Sequence, residues 1–387
     1  MLKVGVIGYG SRISDIIDLV LGFELGVEVV AFTDINEEKA RKNFEKSPVN
    51  KEKIRFYASA DEMLAAEELD GCLIGTRCST HAGYAIKVLE KGIPLFLEKP
   101  VCTSMEDLLK LKEAGEATAA EVVVSFPLKT SNLVEQVKKL VDAGEIGEVQ
   151  HVQAYNNVPY GGVYFHSWYR DEGVTGGLFL QKSTHDFDYI NYVLGKTPVK
   201  VCAVESKQIF KGDKSADLYC KDCPEREACP ESDFTMRKIK FDSPHGSRCC
   251  FSVATGNHDN ASAILLYENG MHVSYSQNFF ARKAAQLRGA RFIGYKGTIE
   301  FDWYKGVLNL YKHGEAFNAT YNFDTSSSTH FGGDHILALN FIRVMQKKEK
   351  SISPLEEGIN SALVCLKVKQ SAQTQAFVDI NWENCHP

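Results

Sequence analysis

Two sets of residues in this 387-residue sequence have types and spacings that suit chemistry. The first begins at Gly8-Tyr9-Gly10, which follows the apolar run Leu2 to Ile7 and precedes a helical pattern. A glycine turn in that context lets backbone N–H groups meet a pyrophosphate at a helix N-terminus. Ile13 stands where a third small residue would allow close helix packing, so the dinucleotide fingerprint is incomplete. Asp34 ends the next apolar run. A carboxylate there accepts hydrogen bonds from both ribose hydroxyls of NAD and repels the 2′-phosphate of NADP, so NAD is favoured. Asp34 equally suits a cap for the helix that begins near Asn36, and the two roles are compatible.

The second set is Cys220, Cys223 and Cys229, a C-x2-C-x5-C spacing in a polar, proline-bearing insert near residues 211–250. Three thiolates could converge there on a structural zinc or an iron–sulfur cluster, with Cys249, Cys250 or Cys202 as fourth ligand. A closed four-thiolate site is structural because it keeps no position open for substrate. The alternative is a loop of reduced thiols. The eleven cysteines are otherwise scattered and odd in number, which fits a reduced, cytoplasmic setting rather than a disulfide framework.

The elements that must position these residues change in texture along the chain. Over residues 1–125, short apolar runs alternate with amphipathic segments, which predicts an α/β Rossmann domain with a doubly wound parallel sheet. Its strands read as Leu2 to Ile7, Val27 to Thr33, Cys72 to Ile74, Pro94 to Leu97 and Val122 to Ser125. Residues 126–387 predict an α+β domain: a helix capped by Ser131, then strands at Val149 to Ala154, Val199 to Ser206, Ala261 to Tyr267, Met271 to Gln277, Arg291 to Tyr295 and Thr298 to Phe301. Glu268-Asn269-Gly270 and Lys296-Gly297 predict hairpin turns in a large open antiparallel sheet.

The order Gly8-Tyr9-Gly10, Ile74-Gly75-Thr76 with His81, Glu98-Lys99-Pro100, and Gly176-Gly177 with His185 and Asp188 resembles the Gfo/Idh/MocA oxidoreductases, and the resemblance runs essentially end to end. It implies the two-domain fold already read from the pattern. It also implies a dehydrogenase acting on a secondary hydroxyl of a sugar, sugar acid or polyol with NAD, and a homo-oligomer, dimer or tetramer. On the matched motifs it places Gly8, Gly10, Ser11, Arg12, Asp34, Thr76, His81, Glu98 and Lys99 at the cofactor.

Hydride leaves a carbinol carbon only as the hydroxyl proton departs, so such a site needs a base near that oxygen and a positive group to steady the alkoxide. Lys99 and His185 can fill these roles, in either assignment. Family dehydrogenases commonly carry an Asp four residues before the histidine; here Gln181 stands there, followed by Lys182. Glutamine orients a hydroxyl but is no carboxylate base. Lys182 either adds positive charge to the site or points away from it. This departure keeps open an alternative, redox-neutral glycoside cleavage by NAD oxidation, elimination, hydration and reduction. Tyr160, Tyr164, His166, Asp186 and His330 are further candidates for substrate contact, and Asp334 and His258-Asp259 for pocket or cap positions.

Asp and Glu outnumber Lys and Arg by 50 to 44, a net charge of −6, which leaves no basic surplus for nucleic acid or anionic lipid. No apolar run reaches the length of a membrane span, and Met1-Leu2-Lys3 leads straight into the first strand without a signal-peptide pattern. The expected partner is a small carbohydrate.

Overall fold

The computed structural model describes residues 1–44, 47, 54–238, 246–324 and 329–382. Strands β1 (Leu2–Ile7), β2 (Val27–Thr33), β3 (Arg55–Phe56), β4 (Gly71–Ile74), β5 (Leu95–Leu97) and β6 (Val122–Val124) form one parallel sheet in the order β3-β2-β1-β4-β5-β6. Between them run α1 (Ser11–Gly22), α2 (Glu37–Phe44), α3 (Ala60–Ala66), α4 (His81–Glu90) and α5 (Met105–Glu116). The strands are apolar on both faces because helices cover both; in β1, Val4 and Val6 enter one core and Ile7 the other. The chain reverses direction across the sheet between β1 and β4, so the loops after these two strands form the crevice where doubly wound sheets bind ligands.

Beyond β6, α6 (Asn132–Asp142) starts at Ser131, whose hydroxyl accepts the Val134 N–H. Then come β7 (Val149–Asn157), α7 (Val163–His166), α8 (Glu172–Thr175), α9 (Thr184–Leu194), β8 (Lys200–Ser206) and α10 (Asp233–Lys238). They are followed by β9 (Asn260–Leu266), β10 (His272–Asn278), β11 (Leu287–Gly294), β12 (Gly297–Asp302), β13 (Val307–Lys312) and β14 (Asn318–Asn322). Helices α11 (Gly333–Met345) and α12 (Leu355–Thr374) and the short β15 (Val378–Asp379) close the chain. The second sheet has nine strands in the order β14-β13-β12-β11-β7-β10-β9-β8-β15.

This sheet is mixed rather than wholly antiparallel, since β7 runs parallel to β10. The helices α7 to α9 carry the chain from β7 to β8, three places away in the sheet, and it returns through antiparallel β9 to β10 beside β7. The sequence pattern also missed β13 and β14. In β14 no residue is buried, so there was no apolar alternation to read.

The strands divide near residue 125, but the cores do not. Leu337, Ala338, Phe341 and Ile342 of α11 pack with Val4, Val6, Ile13 and Ile17 of the Rossmann half. A Cβ added at Gly71 would sit 2.3 Å from Met345 Sδ, so β4 and α11 are in close contact. Among the described residues no helix is long and apolar enough to cross a membrane.

Candidate active site

The glycine loop has a steric reason for its composition. Gly8 has φ +80°, and a Cβ there would lie 2.5 Å from the Thr76 side chain, so both conformation and space exclude a larger residue. Gly10 precedes α1, whose first turn carries no acidic residue to compete with an anion for the free N–H groups. Ser11 is exposed at that helix start. Asp34 accepts the Tyr9 N–H and the Asn36 N–H, each at 2.7 Å, so it ties the glycine loop to the end of β2 and starts the following turn.

The missing small residue at Ile13 is supplied from elsewhere. A Cβ on Gly75 would stand 2.4 Å from Ile13 Cβ, so the close approach of α1 to the sheet is achieved by a glycine after β4. Beside it the Thr76 hydroxyl bonds Thr80 at 2.7 Å. His81 lies behind this turn: its Nδ1 is 2.8 Å from the Pro100 carbonyl oxygen and its Nε2 3.2 Å from that of Thr76. Burial lowers its pKa, and its contacts shape the turn from within the protein.

Arg12 reaches across the domains. Its guanidinium donates to the Asp334 carboxylate and to Ser125 Oγ at 3.3 Å, while Nε sits 3.3 Å from Glu98 Oε1. The two carboxylates outweigh the cost of burial and raise the Arg12 pKa further. Asp334 in turn is 2.7 Å from His330 Nδ1, and both partners hold its carboxyl below its ordinary pKa against the effect of burial. His330 and Phe331 adopt φ +50° and +54°, a left-handed conformation that is strained for such side chains and that clusters at functional sites.

The candidate catalytic residues come from one irregular helix start and one strand end. After Gly176 and Gly177, both with positive φ, residues Phe179–Ser183 form a π-helical turn that runs into α9. Such turns often mark functional sites, because the extra residue re-aims neighbouring side chains. Here Gln181 and Lys182 are both buried. Lys99, just past β5, donates to the Gln181 carbonyl oxygen at 2.8 Å and lies 3.5 Å from Gln181 Oε1. Lys182 Nζ donates to Tyr160 Oη at 2.6 Å and stands 4.5 Å and 5.2 Å from the ring centres of Tyr160 and Tyr164. Lys182 therefore points into the site.

His185 follows on α9, with its ring 5.9 Å from that of Phe126 and 6.4 Å from that of His330. Its Nδ1 is buried without a hydrogen-bond partner among the described residues. Burial lowers the His185 pKa well below the usual value, and Lys99, Arg288, His330 and Lys182 add to this, so the ring is neutral at pH 7. Lys99 is pushed down to about 7, first by burial and then by the charge of Lys182. For Tyr160 burial acts upward, but Lys182 and Arg288 outweigh it and lower the phenol.

Two expected contacts sit elsewhere. Asp186 is fully buried behind the cleft, where its carboxylate accepts from Arg288 Nε at 2.9 Å, Asn156 Nδ2 at 2.9 Å and Tyr275 Oη at 2.9 Å. With these partners filling its oxygens, it supports Arg288 rather than facing a substrate. His166, at the end of α7, turns toward the cysteine insert, its Nδ1 2.6 Å from the Arg248 carbonyl oxygen. Asp259 is a loop cap, accepting the N–H groups of Gln208, Ile209 and Phe210. His258 lies 3.4 Å from Glu205. Cys220, Cys223, Cys229, Cys249 and Cys250 line one small cavity, and Cys202 stands apart on β8. Among the described residues no three His, Cys, Asp or Glu side chains already form a metal-ligand group.

Residues 2–126 match the model of the oxidoreductase family with NAD-binding Rossmann fold, and residues 134–300 match that of the GFO/IDH/MocA C-terminal domain. The chain belongs to the Gfo/Idh/MocA family of oxidoreductases. Similar members include the oxidoreductase YteT of Bacillus subtilis, 28% identical over 270 residues, or 62% of each chain. Inositol 2-dehydrogenase 3 of Saccharopolyspora erythraea is 33% identical over 147 residues, 38% of this chain and 42% of the relative. The matches thus span less than two thirds of these curated relatives. A levoglucosan dehydrogenase, solved with NADH and levoglucosan, superposes with a TM-score of 0.79 over 98% of this chain and 100% of the other at 16% identity, a likeness of fold.

Proposed function

We propose that this protein is an NAD-dependent dehydrogenase that moves hydride between nicotinamide and a secondary hydroxyl of a sugar, sugar acid or polyol. The observation that carries the reading is the convergence of Lys99, held on the Gln181 carbonyl at 2.8 Å, with the buried Lys182 and His185 at the crevice between the two sheets. The Gly8 cradle, the uncompensated start of α1 and Asp34 suit a dinucleotide. Ile35, 95% exposed beside Asp34, offers an apolar shelf for a base. When bound, NAD supplies the hydride acceptor. The carboxylate of Asp34 favours NAD over NADP.

In the oxidation direction Lys99 takes the hydroxyl proton, since a group with a pKa of about 7 is matched to that task at neutral pH. Neutral His185 hydrogen-bonds the same oxygen. Lys182 and Arg288 supply positive potential where the alkoxide develops. Gln181, which occupies the position of the family's carboxylate, holds Lys99 instead of acting as a base. In the reverse direction protonated Lys99 returns the proton. Relatives named for inositol and levoglucosan support the substrate class. The relatives named for inositol and levoglucosan favour this reading over redox-neutral glycoside cleavage.

We also propose that the open face of the nine-stranded sheet pairs with a second copy, because Val204 (61% exposed) and Ile264 (45%) are diagonal neighbours there; sedimentation of a V204K/I264K variant as a smaller species than the parent would bear this out. The activity is tested with NAD and a panel of sugars, sugar acids, polyols and glycosides, recording NADH and product together. Equal amounts of NADH and ketone are expected. Glycoside turnover with only catalytic NAD would sink the reading.

A further inference from the structure

The insert between β8 and β9 is tied to the main body by contacts that centre on its cysteines. Four of its thiols, on Cys220, Cys223, Cys229 and Cys249, line a cavity of about 20 Å³ together with Cys250, His166, Arg226, Glu231 and Ser232. That volume is near the room one water needs, so it accommodates an ion rather than an organic ligand. The sequence separations are unequal, yet chain folding closes them. Cys220 and Cys223 flank a single 3-10 turn, Cys229 ends the next turn, and Cys249 returns beside them through the paired residues Tyr219 and Arg248.

A second observation concerns how the chain holds these four residues together. The Cys220 N–H donates to the Ser247 carbonyl oxygen at 2.7 Å, that of Cys223 to Cys220 at 3.2 Å, that of Cys229 to Glu225 at 2.9 Å and that of Cys249 to Leu218 at 2.9 Å. The antiparallel pairing of Tyr219 with Arg248 puts Cys249 beside Cys220 and makes it the fourth member of the set. Cys250 packs instead with Phe165, Phe210 and Phe279.

We propose that Cys220, Cys223, Cys229 and Cys249 bind one zinc(II) ion in a closed tetrahedral site. Each thiol gives its proton to solvent on ligation, and no redox step is involved. The thiols surround the cavity without yet meeting at one point, so binding rotates their side chains inward. Arg226 lines the cavity and is paired with Asp233, and nearby Lys214 is paired with Glu225.

The site would act on the cleft through its wall. Arg248 N–H donates to the His166 carbonyl oxygen, and Arg170 donates to the carbonyl oxygens of Cys249 at 3.4 Å and Ala216 at 2.8 Å. These bonds brace residues 163–170, the segment that follows Tyr160, carries Tyr164, and places Trp168 under Arg77 at 3.6 Å. Zinc thus positions the substrate wall, which meets the Rossmann half through the contact of Trp168 with Arg77.

The test is elemental analysis of the full-length protein purified without a metal-affinity tag. One zinc per chain is expected, falling at least fivefold in C223S and C249S but retained in C202S and C250S. Chelation of the parent protein should raise its sensitivity to protease within the insert while NAD binding, read by fluorescence, is retained. Parent protein with less than a tenth of an equivalent of zinc, even after refolding with zinc sulfate, would overturn the proposal without any variant having to fold. Iron with a visible thiolate-to-iron absorption in place of zinc would overturn the assignment of the metal.

Discussion

The Lys99 ammonium is held 2.8 Å from the main-chain carbonyl oxygen of Gln181, the residue that stands where the family's catalytic carboxylate is expected. A backbone carbonyl and a neutral amide cannot compensate the charge of Lys99 as a carboxylate would. With Lys182 one residue further along the same π-helical turn, the site carries a surplus of positive charge. Burial first, and then that charge, push the Lys99 pKa down.

Lys99 is about half protonated near neutrality, so kcat/KM for oxidation should rise with pH through about 7 and the reductive direction should fall across the same range. The charge of Lys182 depresses the Lys99 pKa, so removing it must move the limb upward. The variant K182M is expected to shift the oxidative limb to higher pH by about one unit. K99M should lower kcat by roughly 10²–10⁴ with NAD affinity preserved. A pH profile for K182M that overlays the parent would show that the two lysines do not share a site.

Asp34 braces the glycine loop and, in the proposed function, meets the ribose, and the two roles separate in D34N. The amide oxygen still accepts one backbone N–H, whereas the repulsion toward a 2′-phosphate is gone. The preference for NAD over NADP in kcat/KM should fall by about 10-fold or more, the scale of one lost charge-assisted hydrogen bond. An unchanged ratio would place the cofactor choice elsewhere.

Gly75 and Ile13 form a matched pair, and their coupling is measurable. G75A alone should cost about 1–3 kcal/mol by overpacking, seen as a lower denaturant midpoint. I13A alone loses buried surface. Combined, they should cost less than the sum of the single changes, because the added methyl enters space that Ile13 has vacated. Strict additivity would mean that helix and loop do not meet there.

What the sequence determined by itself was mostly local. The alternation of apolar runs and helical periods revealed the Rossmann half, Ser131 marked its helix, and both hairpin turns fell between paired strands, because each of these signals lies within a few residues of chain. Glu98-Lys99-Pro100 and His185 are singled out only by the family resemblance, since single ionisable residues carry no local signal of their role. What only the tertiary structure decided involves partners far apart in sequence. Arg12 meets Asp334 across 322 residues, Gly75 makes room for Ile13, and α11 joins a core begun at Val4.

The direction of Lys182 belongs to the second kind. Gln181 and Lys182 are buried together with the consecutive residues Thr184 to Ile190, because the segment is enclosed on all sides, and the π turn at its start is not written in any local propensity. Asp186 and His166 carry the same lesson from the other side. They neighbour site residues along the chain, yet packing directs one to Arg288 and the other to the cysteine insert. Local periodicity specifies elements, but which polar groups face one another follows from closing the whole chain into two shared cores, and there the Gln181 carbonyl receives Lys99.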